Sequence, residues 1–387
     1  MRRAVVVIGS SYGDEGKGLA SVLEARAKGL PCLNVLINGG AQRGHTVEWR
    51  DGRRHVFHHF GSASAMGALS CADEDFIVNP LLFCREAEEM EKIGIRPRLA
   101  VSARCRVSLP WDMMLGQIIE ENRGSARHGS CGCGIQETRL RYLKSSLTPR
   151  FGDLAGLSEA EVTFYCRRMV REYVPARLGE LGMHMDGAWR EIVESEGLIR
   201  RTWEDVRTML DRAEVYGSWT EIASGYPFIL FEAGQGLALD MENKHDFPYL
   251  TPSRTTSRVS AERLAVLPGE TAAEIMYVTR TYLTRHGPGP FPTECPKERI
   301  NPDMTDRTNV PNPHQRTLRY GMFDARAVRD RIFSDLEATR EVLPGAVPCL
   351  TVTHLNETGG ELAGDETLDR FTRDFSRVVL SDSPFFD

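Results

Sequence analysis

The sequence predicts an α/β protein: a central, mostly parallel sheet flanked by helices on both faces. Three observations lead there. Short apolar runs without in–out alternation recur along the chain, as in Ala4 to Ile8 and Leu33 to Ile37, which is the pattern of strands buried on both faces. Helix-period segments lie between them. The first run ends at glycine and passes through GSSYGDEGKG directly into a helical pattern, the placement of a phosphate-binding turn.

Taken in order, Ala4 to Ile8 reads as a strand. Gly18 to Lys28 reads as a helix, with Leu19, Val22, Leu23 and Ala27 on one face. Leu33 to Ile37 is a second strand, and Phe76 to Val78, Phe228 to Glu232 and Leu350 to Val352 are further short strands. Helices are expected over Leu81 to Ile93, Ala261 to Leu264 and Ala325 to Glu341. The stretch from about 148 to 222 is charged, helically spaced and poor in strand signals, so it reads as a helical insertion or cap. From Pro288 to Pro313 prolines are dense, which predicts an irregular, partly stiffened loop.

The chain has 387 residues, 41% hydrophobic and 26% charged, with a formal net charge of −6. That balance suits a globular protein and argues against bulk nucleic-acid binding. Nine cysteines are scattered without a disulfide-like spacing, and neither a signal peptide nor a membrane-length apolar stretch is present, so a reduced cytoplasmic setting is expected.

The turn GDEGKG, residues 13 to 18, departs from the common phosphate-loop pattern because residue 18 is glycine rather than serine or threonine. The physical logic survives. Gly13, Gly16 and Gly18 allow backbone N–H groups to approach phosphate, and Lys17 supplies a positive charge. Read this way, the fold is P-loop-like with helical insertions. Asp14 and Glu15 are the anomaly, since carboxylates beside phosphate repel it; one answer is that they complement the helix dipole. A second glycine cluster, NGGAQRGHTV at 38 to 47, follows the second strand, and His45 there can act as an acid near neutral pH.

Together with GSCGCGI (129–135), FEAGQG (231–236), FPYLTPSRTT (247–256), TRHGPGPFPTE (284–294) and VTHLN (352–356), these motifs resemble the adenylosuccinate synthetase family over most of the chain, implying one such domain across 1–387. Members phosphorylate the purine 6-oxygen with a nucleoside triphosphate; aspartate then displaces the phosphate. The resemblance implies Asp14 as the general base at purine N1, His45 as the catalytic acid and Lys17 as the residue drawing charge off the triphosphate. It implies Mg²⁺ as cofactor, held by Asp14 and the Gly44 carbonyl. Gly13, Glu15, Gly16, Lys17, Gly18, Gly44, His45, Thr46, His354 and Asn356 would contact the triphosphate nucleotide. Asp14, Gln42, Ser130, Cys131, Gln235 and Thr251 would contact the monophosphate, with Arg139 or Arg141 as the arginine reaching its phosphate from a partner subunit in a homodimer. Thr308, Arg316 and Arg319, with Arg307 nearby, would hold aspartate. The implied partners are small molecules, with no nucleic acid and no membrane.

The departures carry information. The usual GGHNAGHT is here GGAQRGHT. Ser130 and Cys131 replace two threonines and Cys133 an arginine. A C-x-C pair without further ligands at metal spacing reads as structural, as do His55, His58 and His59. The usual TKLD is here THLN, so Asn356 stands where the family's aspartate reads guanine. An amide can pair with adenine, which points to ATP or dATP as donor. These departures resemble the bacteriophage branch, whose members condense dGMP with aspartate on the way to 2,6-diaminopurine DNA. Some of those carry serine at the base position, whereas Asp14 is kept here. The alternatives are ordinary adenylosuccinate synthesis from IMP and GTP, and a non-catalytic nucleotide-binding homologue; Asp14, Lys17 and His45 together weigh against the last.

Overall fold

A computed structural model describes residues 2–304 and 317–387. Its centre is a nine-stranded sheet in which every neighbouring pair runs parallel, in the order 377–380, 347–353, 271–280, 2–9, 228–236, 32–36, 69–72, 99–102, 213–216. The strand Arg2–Gly9 lies mid-sheet. Ala4, Val6 and Ile8 join the core on one face, and Val5 and Val7 that on the other, as the two-residue period of a strand requires. One face is covered by the helices Arg258–Ala265 and Ala325–Arg340. Towards the 99–102 end, the helices Pro80–Lys92 and Pro110–Arg123 build a separate core with the helical stretch that follows.

The apolar runs form strands where the sequence placed them, with different ends: Arg2–Gly9, Phe228–Gly236 and Val347–Thr353 are longer than expected, Cys32–Leu36 is shifted by one residue, and Ile77–Val78 is shorter. Pro80 opens its helix with Asn79 as cap, its side chain accepting from Leu82 N at 3.1 Å, the arrangement that suits proline at the first helical position. Three elements differ from expectation. Ile77–Val78 lies outside the main sheet, pairing with Arg106–Val107 and bridging Gly40. Thr271–Arg280, unmarked in the sequence, is a central strand; its TAAE start lacks β-branched residues beyond the first and hides the run that follows. The expected insertion is a run of short helices between Phe151 and Arg212, with one π-helical turn at Met169–Tyr173, but Ala213–Tyr216 returns as the edge strand. Only Tyr216 of that strand is buried, so its sequence carries little apolar signal. Within the proline-rich stretch, Glu294–Cys295 pairs with Arg319–Gly321. No helix among the described residues is long and apolar enough to cross a membrane.

The fold also sets a pH response. Glu86 accepts the backbone N–H groups of His58 and His59 at 2.7 and 2.6 Å, and lies beside the rings of His55 and His59. Burial holds the His59 ring below its usual 6.5, and burial with Arg280 holds His354 well below it. The unfolded chain therefore takes up protons that the folded chain refuses. This stability is fully present above about pH 6.5 and is lost as pH falls through the lowered folded values, at up to about 1.4 kcal/mol per pH unit for each ring. Asp73, pushed up to about 6 by burial, acts in the opposite sense between its unfolded and folded values. With more depressed histidines than raised aspartates on the deeply buried side, the melting temperature is expected to fall from pH 7 to pH 5. A flat or rising profile in a thermal melt series contradicts this.

Candidate active site

The loops leaving the C-terminal ends of the parallel strands converge on one cavity of about 1210 Å³, the place where α/β sheets hold ligands. The first loop, after Arg2–Gly9, is braced from within. Glu15 is buried and its carboxylate accepts from Ser11 N (3.1 Å), Gly13 N (2.8 Å) and Lys17 Nζ (2.7 Å). Glu15 was expected among the triphosphate contacts; its side chain instead faces the loop interior, because a buried carboxylate takes the nearest donors. Gly16 caps the helix at φ 94°, and a Cβ there would come 2.9 Å from Thr353 Cγ2, so glycine is required. Lys17, Gly13, Gly16 and Gly18 line the cavity.

Asp14 also has a positive φ, 62°, uncommon for a residue with a side chain. Arg280, at the end of the Thr271–Arg280 strand, holds it: Nε donates to the Asp14 carbonyl at 2.5 Å and Nη2 to Oδ2 at 2.7 Å. Arg280 continues to the Tyr282 hydroxyl (2.7 Å), which donates to Glu357 Oε2 (2.5 Å). A polar chain thus runs from Asp14 to the turn Leu355–Glu357 that carries Asn356.

The second loop carries Gln42, Gly44, His45 and Thr46, all on the cavity wall. His45 Nδ1 lies 2.5 Å from Glu232 Oε1 and 2.8 Å from Arg43 Nη2. One nitrogen cannot serve both as donor and acceptor; the carboxylate is the stronger partner, so Nδ1–H donates to Glu232. The opposite ring edge is then the part that can reach the cavity. Arg43 pairs with Glu232 at 2.8 Å and bonds its carbonyl at 3.1 Å, and Ser62 donates to both carboxylate oxygens. Burial, reinforced by Arg43, pulls His45 down to about 3; burial pushes Glu232 up, but Arg43 and His45 outweigh it and leave it at about 2. His45 is neutral at pH 7 in the free protein. Both amide atoms of Gln42 are buried without a hydrogen-bond partner among the described residues, which marks a polar group held ready for a ligand. His58 Nδ1 bonds the carbonyls of Ala41 and Arg43, so this histidine braces the loop.

Ser130, Cys131, Arg139, Gln235, Thr251, His354 and Asn356 line the same cavity. Gln235 and His354 adopt positive φ, 67° and 63°. Cys133 Sγ donates to the Ala41 carbonyl at 4.0 Å, and the interaction of the two neighbouring thiols lowers Cys131 and raises Cys133; no group of three or more metal-type side chains occurs among the described residues.

Two expected contacts are corrected. Arg141 is fully buried, its guanidinium bound to Asp112 (2.8 and 2.9 Å), the Tyr165 hydroxyl and two carbonyls. It is a core residue off the cavity wall. Arg319 stays off the cavity wall: it pairs with Glu294 and donates to the carbonyls of Gly287 and Gly289, stapling the small sheet. Thr308 and Arg316, with Arg307, lie outside the described residues.

Several wall and support residues were not anticipated. Glu232 sits in FILFEAGQG, where a lone carboxylate in an apolar strand signals a buried charge needing partners. Arg280 ends its strand at the ligand edge, but the strand itself was unmarked. Ser383 and Pro384 reach the cavity from the C-terminal segment, and nothing local in DSPFF announces it.

A parallel sheet with a glycine-rich loop, a lysine, an aspartate and a histidine gathered at the C-terminal edge is the arrangement of a nucleotide-binding α/β protein. Comparison narrows this. The family model for adenylosuccinate synthetase matches residues 6–336. The adenylosuccinate synthetase of Methylococcus capsulatus is 32% identical, over 76% of this chain and 65% of the relative; across the similar relatives the matched part is 65% to 79% of their own length. Fully ligated adenylosuccinate synthetase from Plasmodium falciparum superposes with a TM-score of 0.67 at 18% identity, covering 91% of this chain and 77% of that one. The succinoaminodeoxyadenylate synthetase of cyanophage S-2L, bound to dGMP and dATP, gives 0.66 at 14% identity, covering 100% and 94%. At these identities the two structures show a shared fold. The chain belongs to the adenylosuccinate synthetase family, C–N ligases that form purine nucleotide–aspartate products.

Proposed function

We propose that the chain condenses dGMP with L-aspartate, driven by ATP or dATP, to give 2-amino-2'-deoxyadenylosuccinate through a 6-phosphoryl purine intermediate. The observation that carries this reading is Asn356. It is exposed on the cavity wall, in the short turn Leu355–Glu357 joined to Asp14 through Arg280, Tyr282 and Glu357. An amide there offers adenine both a donor and an acceptor, whereas guanine's two donors favour a carboxylate. The cyanophage protein that shares the fold over the whole chain binds dGMP and dATP, which supports the same pairing. The names of the sequence relatives favour IMP and GTP instead, and this is the second reading.

In the proposed reaction Asp14 takes the proton from purine N1, making the 6-oxygen nucleophilic. Arg280 keeps the carboxylate oriented towards the cavity. Lys17 and the amides of the first loop hold the triphosphate, and His45, braced by Glu232, sits where charge develops on the transferred phosphoryl group. Gln42, Ser130, Cys131, Gln235, Thr251 and Arg139 surround the monophosphate nucleotide, and the segment with Thr308 and Arg316 is assigned to aspartate. Asp14 and the Gly44 carbonyl are hard oxygen donors facing one cavity, a set that fits Mg²⁺ when substrate phosphates complete its shell. Bound there, Mg²⁺ would neutralise phosphate charge. A cytoplasmic homodimer completes the proposal.

The test is a crossed assay of IMP or dGMP with GTP or ATP, reading phosphate release with aspartate present. The dGMP–ATP pair is expected to be fastest, and release with IMP and GTP alone overturns the proposal. Asn356→Asp is expected to shift kcat/KM from ATP towards GTP by about tenfold or more, the scale of one or two hydrogen bonds to a base edge. An unchanged ratio shows that this turn does not read the donor.

A further inference from the structure

The turn that carries Ser130 owes its shape to one carboxylate. Residues 128–133 make no backbone-to-backbone hydrogen bond among the described residues, and Gly129 and Gly132 take positive φ. Such a segment has no ladder or helix to hold it. Side chains do so instead. Glu120 Oε2 accepts from Gly129 N at 2.8 Å and Ser130 N at 3.3 Å, and Oε1 accepts from His128 N at 3.3 Å. Gln117 Nε2 donates to the Gly132 carbonyl at 3.1 Å, and Ser130 Oγ accepts from Gly132 N at 3.2 Å.

Glu120 is 4% exposed and belongs to the last turn of the helix Pro110–Arg123, whose Trp111, Leu115, Ile118 and Ile119 are in the core. Its charge is matched by Arg123 at 2.6 Å. Burial opposes the carboxylate's charge, but Arg123 and the three amides outweigh it and keep it ionised. The carboxylate therefore transmits the position of a packed helix to an otherwise unsupported turn, and Ser130 and Cys131 on that turn line the cavity.

We propose that Glu120 is a positioning residue for the phosphate end of the monophosphate-nucleotide subsite, setting the 128–130 turn so that Ser130 meets the 5'-phosphate. This rests on the reading of Ser130 as a phosphate contact. It is independent of which purine is bound, because the 5'-phosphate is common to all of them. Charge-assisted bonds from three amides to one carboxylate are strong and directional, and among the described residues no other group takes these amides.

The experiment compares Glu120→Ala and Glu120→Gln with the unaltered protein by calorimetry. Ligands are dGMP and IMP, the matching nucleosides deoxyguanosine and inosine, and ATP. Glu120→Ala is expected to weaken the bound monophosphate about tenfold or more, the effect of one lost charge-assisted contact, while nucleosides and ATP change less than about twofold. Glu120→Gln is expected to recover most of the loss, since its amide oxygen still accepts from Gly129 and Ser130. Equal weakening of nucleoside and monophosphate, or an unchanged monophosphate Kd, overturns the proposal. Ser130→Ala is measured beside them: an unchanged monophosphate Kd there overturns the phosphate reading of Ser130 itself. Preference for IMP over dGMP would refute the substrate assignment yet leave the Glu120 comparison readable on IMP.

Discussion

Asp14→Asn is expected to lower turnover by about 100- to 10,000-fold, the range spanned by loss of a positioned general base, with nucleotide affinity kept within a few-fold. The asparagine oxygen can still accept from Arg280 Nη2, which now bonds Asp14 Oδ2 at 2.7 Å, so the φ of 62° and the loop shape persist. What disappears is the capacity to take a proton. Phosphate release in the presence of aspartate measures the first quantity, and calorimetric titration the second. Tight binding with unchanged release would show that another group activates the purine. Absence of turnover in the unaltered protein with every substrate pair would favour a nucleotide-binding homologue without catalysis.

The second large effect is on stability. Glu232→Ala is expected to cost about 3–5 kcal/mol, the usual consequence of removing one partner from a buried ion pair. Glu232 is 0% exposed and Arg43 1% exposed, so truncation strands a guanidinium in the core beside a neutral His45 and leaves both Ser62 donors without their acceptor. The buried charge of Glu86 also favours the Arg43 cation, but less than Glu232 does. Glu232→Gln keeps an acceptor for Ser62 and is expected to cost less. Urea unfolding reads both variants; a change below about 1 kcal/mol for the alanine would mean that the pair is not the anchor of the loop. Glutamine offers one neutral acceptor oxygen where His45 Nδ1–H, Ser62 N–H and Ser62 O–H now share two charged ones, so the His45 ring is held less firmly and turnover is expected to fall in Glu232→Gln even where the fold survives.

Arg43 shows why such residues are hard to find from sequence. GGAQRGHT differs from the family's usual GGHNAGHT, and nothing local tells what an arginine in a glycine-rich loop will meet. Its guanidinium pairs with a carboxylate nearly two hundred residues away in sequence. Arg141 misled in the same manner, since helical spacing says nothing about whether Asp112 and Tyr165 wait beneath it. Glu15 was legible as part of a loop that meets phosphate but not as that loop's internal brace.

By itself the sequence determined the class of fold, the strand–loop–helix at the N-terminus, and the location of the wall residues at loop tips: Asp14, Lys17, Gln42, His45 and Asn356 all reach one cavity. These are local properties. Apolar runs encode burial on both faces, glycines encode turns, and the residues at strand ends share an edge because parallel strands all point one way. Only the tertiary structure decided the partners: Arg280 on Asp14, Glu232 on His45, Glu120 on the Ser130 turn, and Ser383 and Pro384 on the cavity wall. The physical reason is that a buried charge or an unsupported amide must be satisfied, but the chain leaves open which distant group satisfies it until the sheet order brings the two together.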